Sequence, residues 1–321
     1  MKRILKIVAI ILGIVFFAVV VLLAYIQFAP MPVYENEAPE YTFEFDSLDV
    51  EAGAKIAAMT CANCHRSKDS KLGGAYMRDN DSFGEIYATN ITSHKSKGIA
   101  NYTAGELKYL LRTGIKKDGS YAPPWMPKYP NMSDLDMKRV IAFLKSDHPM
   151  VQPSENQVPA TKYNMLSKAL IKFKVFGPLH FDDKPVSHPY SNDKVALGKY
   201  LATAVYDCYG CHSPDFKTQN ILFPEKTPGY FSGGNPFVGN EGQLILTRNL
   251  TMDKKTGIGT WTKEQFIENV KFGTHPHGGA PNRYPMLAFS TFSDAEAGAI
   301  YAYLKTIPVI ENEIEKNIAS E

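Results

Sequence analysis

The apolar positions of this chain fall into three regimes. From Ile7 to Phe28 they form one continuous run of 22 uncharged residues, dominated by Ile, Val, Leu, Phe and Ala. At ~1.5 Å rise per residue such a run makes about 33 Å of helix, enough to cross a hydrocarbon core of roughly 30 Å. Two later blocks show helical spacing instead. Met137, Val140, Ile141 and Leu144 recur at it, as do Ala297, Ile300, Tyr301 and Leu304. The third regime is polar: Pro30-Met31-Pro32 with the glutamates that follow, and residues 148–193, rich in Pro, Ser and Asn. Strand-like alternation is scarce, so the pattern predicts an all-α protein.

Helix punctuation agrees. Thr103…Glu106 and Thr262…Gln265 read as capping boxes, and their helices should stop at Gly114 and Gly273. A second pair of helices opens at Ser133…Asp136, a looser acidic variant of the box, and at Ser293…Glu296. A third in each block should lead through residues 50–60 and 194–206.

The two blocks repeat one another. Residues 50–147 lie over 195–307, with Cys61–His65 on Cys208–His212, Gly73-Gly74 on Gly233-Gly234 and Asn90-Ile91-Thr92 on Asn249-Leu250-Thr251. Gly98-Ile99 falls on Gly257-Ile258 and Leu144-Lys145 on Leu304-Lys305. A repeat this long is a duplicated domain rather than a solenoid of ~20–50-residue units. The expected organisation is a transmembrane anchor (1–29), a solvated extended tether (30–48), a first helical domain (49–147), a surface linker with one short helix near Tyr163–Phe176 (148–193), a second helical domain (194–309) and a polar tail (310–321).

Lys2, Arg3 and Lys6 precede the apolar run, which keeps the amino terminus in the cytoplasm and exports the remainder. A cleaved signal peptide would export it too, but the run is long for one and lacks a clean cleavage site. The expected location is therefore the inner membrane, single-pass, with both helical domains on the periplasmic side and the bilayer as one partner. The net charge is only +2, which excludes the strongly basic face of a nucleic-acid binder.

All four cysteines belong to two Cys-x-x-Cys-His sequences, Cys61, Cys64 and His65, then Cys208, Cys211 and His212. Two thiols three positions apart reach the two vinyl groups of a porphyrin, and the adjacent histidine ligates iron, so the spacing predicts two covalently bound haem c groups. A structural disulfide or a zinc site uses Cys-x-x-Cys as well. Neither asks for histidine after both pairs, and 143 residues separate Cys64 from Cys208.

For the sixth iron ligand, Met126 and Met286 occupy matched proline-rich loops, 61 and 74 residues after their histidines. Met132 faces Phe292, and Met59, Met77 and Met137 have no methionine counterpart. His94, His275 and His277 are alternative ligands without counterparts and read better as surface-loop residues; His148, His180 and His188 read as solvated. Tyr102 and Trp261 are matched aromatics able to reach a haem propionate, or simply to fill the core.

These residues together, from the Cys-x-x-Cys-His pairs through Asn-Ile-Thr or Asn-Leu-Thr, Gly-Ile-Gly-Thr-Trp and Pro-Met to the closing Tyr-Ala-Tyr-Leu-Lys, resemble the mono- and dihaem cytochromes c over residues 50–308. They are most similar to the cytochrome subunits of membrane-bound alcohol, aldehyde and gluconate dehydrogenases. The resemblance implies two tandem cytochrome c-like domains, His65 with Met126 on one iron and His212 with Met286 on the other. It further implies a periplasmic carrier or subunit passing electrons from a dehydrogenase towards quinone, a terminal oxidase or a soluble cytochrome. Those subunits typically carry three haem motifs and attach near the carboxyl end; this chain has two motifs and an amino-terminal apolar run. Three functions compete: an electron carrier with no catalytic residue of its own, an obligate redox subunit of a dehydrogenase, and a dihaem peroxidase with one open iron.

Overall fold

The computed structural model describes residues 1–77, 82–123, 125–190, 192–239, 242–278 and 281–314. Helix α1 (Lys2–Phe28) is one unbroken rod, buried only at Ile26, and is long and apolar enough to cross a membrane. Residues 30–48 were expected to stay in solvent, yet they lie along the first module. Val33 bridges to Ser120, Tyr34 N donates to Gly119 O at 2.9 Å, and Tyr41 and Phe43 pack on the core. The reason is the aromatic rings set among the acids: the rings turn inward while Glu35, Glu37, Glu40 and Glu44 remain exposed.

The first module contains α2 (Ser47–Thr60), α3 (Ala62–His65), α4 (Ala104–Thr113) and α5 (Asp134–Leu144). The second contains α7 (Lys194–Tyr200), α8 (Cys208–His212), α9 (Lys263–Phe272) and α10 (Asp294–Leu304). In each, the first helix crosses the last at a glycine. A Cβ on Gly53 would sit 1.9 Å from Arg139 O, and one on Gly198 would sit 1.9 Å from Ala299 O. Ile56, Ala57, Val140 and Phe143 bury one crossing; Leu201, Ile300, Tyr303 and Leu304 bury the other.

The caps form as the sequence predicts at Thr103, Thr262 and Ser293, and Gly114 and Gly273 end their helices in the left-handed conformation. Ser133 differs. Its hydroxyl accepts from Asp136 N, but the Asp136 carboxylate is one methylene too short to reach back, and instead accepts from Tyr200 Oη at 2.7 Å. Strand structure among the described residues is confined to three short antiparallel pairs. These are β1 (Ala75–Tyr76) with β3 (Tyr87–Ala88), β2 (Gly84–Glu85) with β4 (Lys162–Tyr163), and β5 (Pro236–Val238) with β6 (Leu244–Leu246).

Backbone bonds correct the repeat register at one point. Gly74 N donates to His65 O and Gly233 N to His212 O, so Gly74 matches Gly233 and the glycine pairs are offset by one residue. Ile91 N to Leu72 O and Leu250 N to Phe231 O agree with this frame.

Residues 148–193 are not a surface linker throughout. Val151, Ser154, Ser167 and Ile171 are buried, β4 pairs with β2, and α6 (Met165–Lys172) packs on α1. Ser154 N donates to Thr92 Oγ1 at 3.3 Å, as Ile310 N does to Thr251 Oγ1 at 3.2 Å. The start of this segment is thus the closing strap of the first module, which periodicity does not reveal because it is irregular backbone. Its later part returns along the same module, with Leu179 N on Thr113 O and Lys108 paired to Asp183 at 2.7 Å. Two of its histidines are engaged rather than solvated: His148 caps Met150 N, and His188 lies 3.5 Å from Asp136.

The seam between modules is reciprocal. Lys55 and Tyr200 each stand two residues after a crossing glycine; Glu296 and Asp136 each stand three after a capping serine. Lys55 Nζ meets Glu296 at 2.5 and 2.7 Å, while Tyr200 meets Asp136. The same two positions of each module thus touch the other, the signature of a two-fold relation.

Candidate functional site

Helix α2 runs without a break into Cys61, whose φ of −80° and ψ of −42° are helical, and α3 then carries Cys64 and His65. One helical turn sets the two half-buried thiols on the same side. The second module has two more residues between its crossing glycine and its first cysteine. A π-helical turn (Leu201–Val205) and left-handed Asp207, at φ 51°, take up the surplus, so that α8 again presents Cys208, Cys211 and His212 together. π turns are the usual way a helix accommodates extra residues.

Each histidine is held the same way. His65 Nδ1 lies 2.6 Å from Thr89 O, and His212 Nδ1 lies 2.7 Å from Arg248 O. A carbonyl can only accept, so Nδ1 carries the hydrogen and Nε2 of the neutral ring carries the lone pair. Burial lowers both imidazole pKa values, which favours that neutral ring, while the carbonyl bond opposes it in part. The orienting carbonyl precedes a buried asparagine in both modules. Asn90 Oδ1 accepts from Thr92 N at 2.9 Å and Oγ1 at 2.6 Å; Asn249 Oδ1 accepts from Thr251 N at 2.9 Å and Oγ1 at 2.8 Å. Their amides donate to the straps, Asn90 to Ser154 O and Asn249 to Ile310 O. A second partner of this kind fixes the tautomer and direction of a metal-binding imidazole.

The methionine loops share their anchors. Ala122 N donates to Gly114 O and Asn282 N to Gly273 O; further on, Tyr129 N donates to Leu111 O and Phe289 N to Val270 O. Met126 and Met286 are each the fourth residue after the first anchor and the third before the second. In the first module the loop closes a cavity of about 660 Å³ lined by Cys61, Cys64, His65, Ile99, Leu107 and Met126. Thus the structure brings Met126 together with the thiols and imidazole of its module. Met286 is half-buried in the matched loop, where Tyr284-Pro285 is cis; neighbouring Gly279 and Ala280, like Pro124 in the first module, lie outside the described residues.

Several walls of the cavity carry no signal in the sequence. Residues 156–161 and Tyr163 of the strap line the cavity, and so does Lys116, whose ammonium pKa burial lowers. Pro127 and Tyr129 share one small cavity with Asp207 and Tyr209, so the first module's methionine loop meets the second module's attachment turn. The recurrence of Asn-x-Thr was the available signal for the orienting carbonyls; nothing in the sequence marks the strap. Tyr102 and Trp261 pack against the core, His275 and His277 are exposed, and His94 binds Glu155 at 3.1 Å.

A haem c needs two thiols one turn apart, a neutral imidazole with a free Nε2 and an apolar slot. The first module supplies all of these around a cavity within the ~300–1,000 Å³ usual for bound small molecules. The residues fit that group. The second module presents the same cysteine and histidine arrangement.

Comparison with known proteins agrees. The cytochrome c family model matches residues 50–147 and 195–308. Over 282 residues the chain is 31% identical to the cytochrome c subunit of a quinone alcohol dehydrogenase from Gluconacetobacter polyoxogenes, covering 84% of this chain and 58% of that one. It is 29% identical to the fructose dehydrogenase cytochrome subunit of Gluconobacter japonicus, covering 78% of this chain and 51% of that one. A diheme cytochrome c-type protein of Cereibacter sphaeroides is 25% identical, with 78% and 83% covered. The chain therefore spans little more than half the length of the dehydrogenase subunits it matches. Family membership implies covalently bound haem c. With both halves matched and the attachment turns in place, the chain belongs to the cytochrome c family.

Proposed function

We propose that this chain is a membrane-anchored dihaem cytochrome c that carries electrons from a dehydrogenase towards quinone or a terminal oxidase on the periplasmic side of the inner membrane. What supports the reading most is the duplicated histidine arrangement, an Nδ1–carbonyl bond of 2.6 Å at His65 and 2.7 Å at His212. In this reading Cys61 and Cys64 attach one haem and Cys208 and Cys211 the other. His65 with Met126 would hold one iron, and His212 with Met286 the other. The haem, when bound, supplies an iron that gains and loses one electron. The chain does the rest. The Thr89 and Arg248 carbonyls fix the imidazole planes, the proline-rich loops hold weak thioether ligands in place, and apolar walls keep water out. No residue makes or breaks a substrate bond, so the chain is a carrier rather than an enzyme. The second module's attachment turn meets the first module's methionine loop, which suits exchange between haems.

The test is the visible and near-infrared spectrum of the haem-loaded protein, with and without carbon monoxide. Two low-spin haems with the sulfur-to-iron band, and no carbon monoxide binding, are expected. Met126→Ala and Met286→Ala should each remove part of that band and open one iron to carbon monoxide. A wild-type high-spin haem that binds carbon monoxide would overturn the two-methionine assignment in favour of a peroxidase-like open site.

A further inference from the structure

Residues 165–176 sit beside the end of α1. Lys172 Nζ donates to the carbonyls of Tyr25 at 3.0 Å, Ile26 at 2.8 Å and Ala29 at 2.5 Å, neutralising the negative end of the helix. Lys168 Nζ reaches Gln27 Oε1 at 3.1 Å, and the Phe173 ring lies 6.2 Å from that of Tyr25. These bonds fix the height of α6 along α1. A hydrocarbon core of roughly 30 Å takes about 20 helical residues, so one beginning at Ile7 ends near Ile26. Phe173 therefore stands at the boundary between acyl chains and headgroups, the depth at which aromatic rings concentrate.

The helix is two-sided in the way this location requires. Ser167 and Ile171 are buried towards the module, while Leu166 is 56% exposed and Phe173, one heptad later, is 52% exposed. Met165 and Val175 extend the apolar surface, and Phe28 at the end of α1 continues it. Lys174, exposed next to Phe173, supplies a cation that complements anionic headgroups. Left in water, this surface would be an unexplained apolar patch next to a membrane-length helix.

We propose that α6 and the turn after it form a second membrane contact, with Leu166 and Phe173 entering the headgroup–acyl boundary of the bilayer that α1 crosses. The proposal rests on α1 spanning that bilayer. Its consequence is orientation: Tyr163, on the wall of the first-module cavity, directly precedes α6, so the contact holds that cavity at the membrane surface rather than letting it swing on a tether.

The test places single spin labels on the full-length, haem-loaded protein in phosphatidylethanolamine–phosphatidylglycerol vesicles. Each collision rate is read as the change from a nitrogen-flushed sample without nickel, which cancels the fixed relaxation caused by haem iron. All native cysteines are thioethers, leaving an introduced thiol as the only labelling site. Labels go at Leu166→Cys and Phe173→Cys, with Val15→Cys inside α1 and the exposed Tyr190→Cys as references. The expected result is that labels at 166 and 173 lose collisions with an aqueous nickel complex relative to 190, and keep collisions with oxygen. If 166 and 173 behave like 190 while 15 is lipid-embedded, the second contact is wrong and the anchor stands. If 15 is also aqueous, both fall.

Discussion

Adding one methyl group at a helix crossing should destabilise about as much as the milder large-to-small core deletions, at roughly 2 kcal/mol. A Cβ on Gly53 would lie 1.9 Å from Arg139 O and 2.9 Å from Phe143 Cβ, and one on Gly198 would lie 1.9 Å from Ala299 O and 2.9 Å from Tyr303 Cβ. Ordinary contact needs ~3.5 Å, so Gly53→Ala or Gly198→Ala must part its helices by roughly 1.5 Å. A gap of even ~0.5–1 Å forfeits a quarter to a half of the dispersion attraction across it. The obstacle is a backbone carbonyl, which no rotamer change can move. Overpacking of this kind costs about 1–3 kcal/mol, or more when the backbone must shift. Against it stands alanine's advantage of ~1 kcal/mol within a helix. Here strain wins, and a net loss of ~2 kcal/mol lowers the midpoint of a domain of ~100 residues by about 8 °C. Thermal unfolding of the haem-loaded protein in detergent, followed by far-ultraviolet circular dichroism, reads this directly. Gly177→Ala is the control, since a Cβ there meets nothing closer than 3.7 Å. Melting of either crossing variant at or above the wild-type temperature would refute the close-approach argument.

Three further outcomes follow from the same geometry. Burial pushes the Asp207 carboxyl from 3.8 up to about 7, opposed only in part by a backbone bond at Gly210. A raised acid is most compatible with folding below its unfolded value and costs stability as pH rises, so Asp207→Asn should gain on wild type between pH 4 and 7 and stay level above; a pH-independent difference would refute this. Asn90→Ala leaves the strap carbonyls of Ser154 and Asn156 without their donor and should cost ~1–3 kcal/mol in denaturant unfolding, and an unchanged midpoint would argue against the strap. At Glu296, burial alone would raise the pKa, but bonds from Lys55 and Ser293 outweigh it and hold the carboxyl below its usual range. Its contribution is therefore present above the ordinary glutamate range and lost as pH falls; Glu296→Gln should be less stable than wild type near pH 7 and equal to it in acid, as melting curves at both pH values would show.

The features legible in the amino-acid order are the local ones. An unbroken apolar run can only be a long helix, capping pairs and terminal glycines mark helix ends through bonds within one turn, and Cys-x-x-Cys-His needs a single helical turn to present its groups. Duplication set Met126 and Met286 apart from the other methionines as the proposed ligands, because a ligand position repeats where core filler need not. Everything set by residues far apart in the chain emerges only from the packing. The carbonyls of Thr89 and Arg248 that orient the imidazoles lie 24 and 36 residues from their histidines and carry no side-chain signal. The strap closing the first cavity is irregular backbone, held by bonds to a distant asparagine and threonine, and so has no period to read. Gly53 and Gly198 look like ordinary helix weaknesses until the opposing carbonyl is in view. The reciprocal seam has the same origin: Lys55 and Glu296 are separated by 241 residues, and only packing makes them partners.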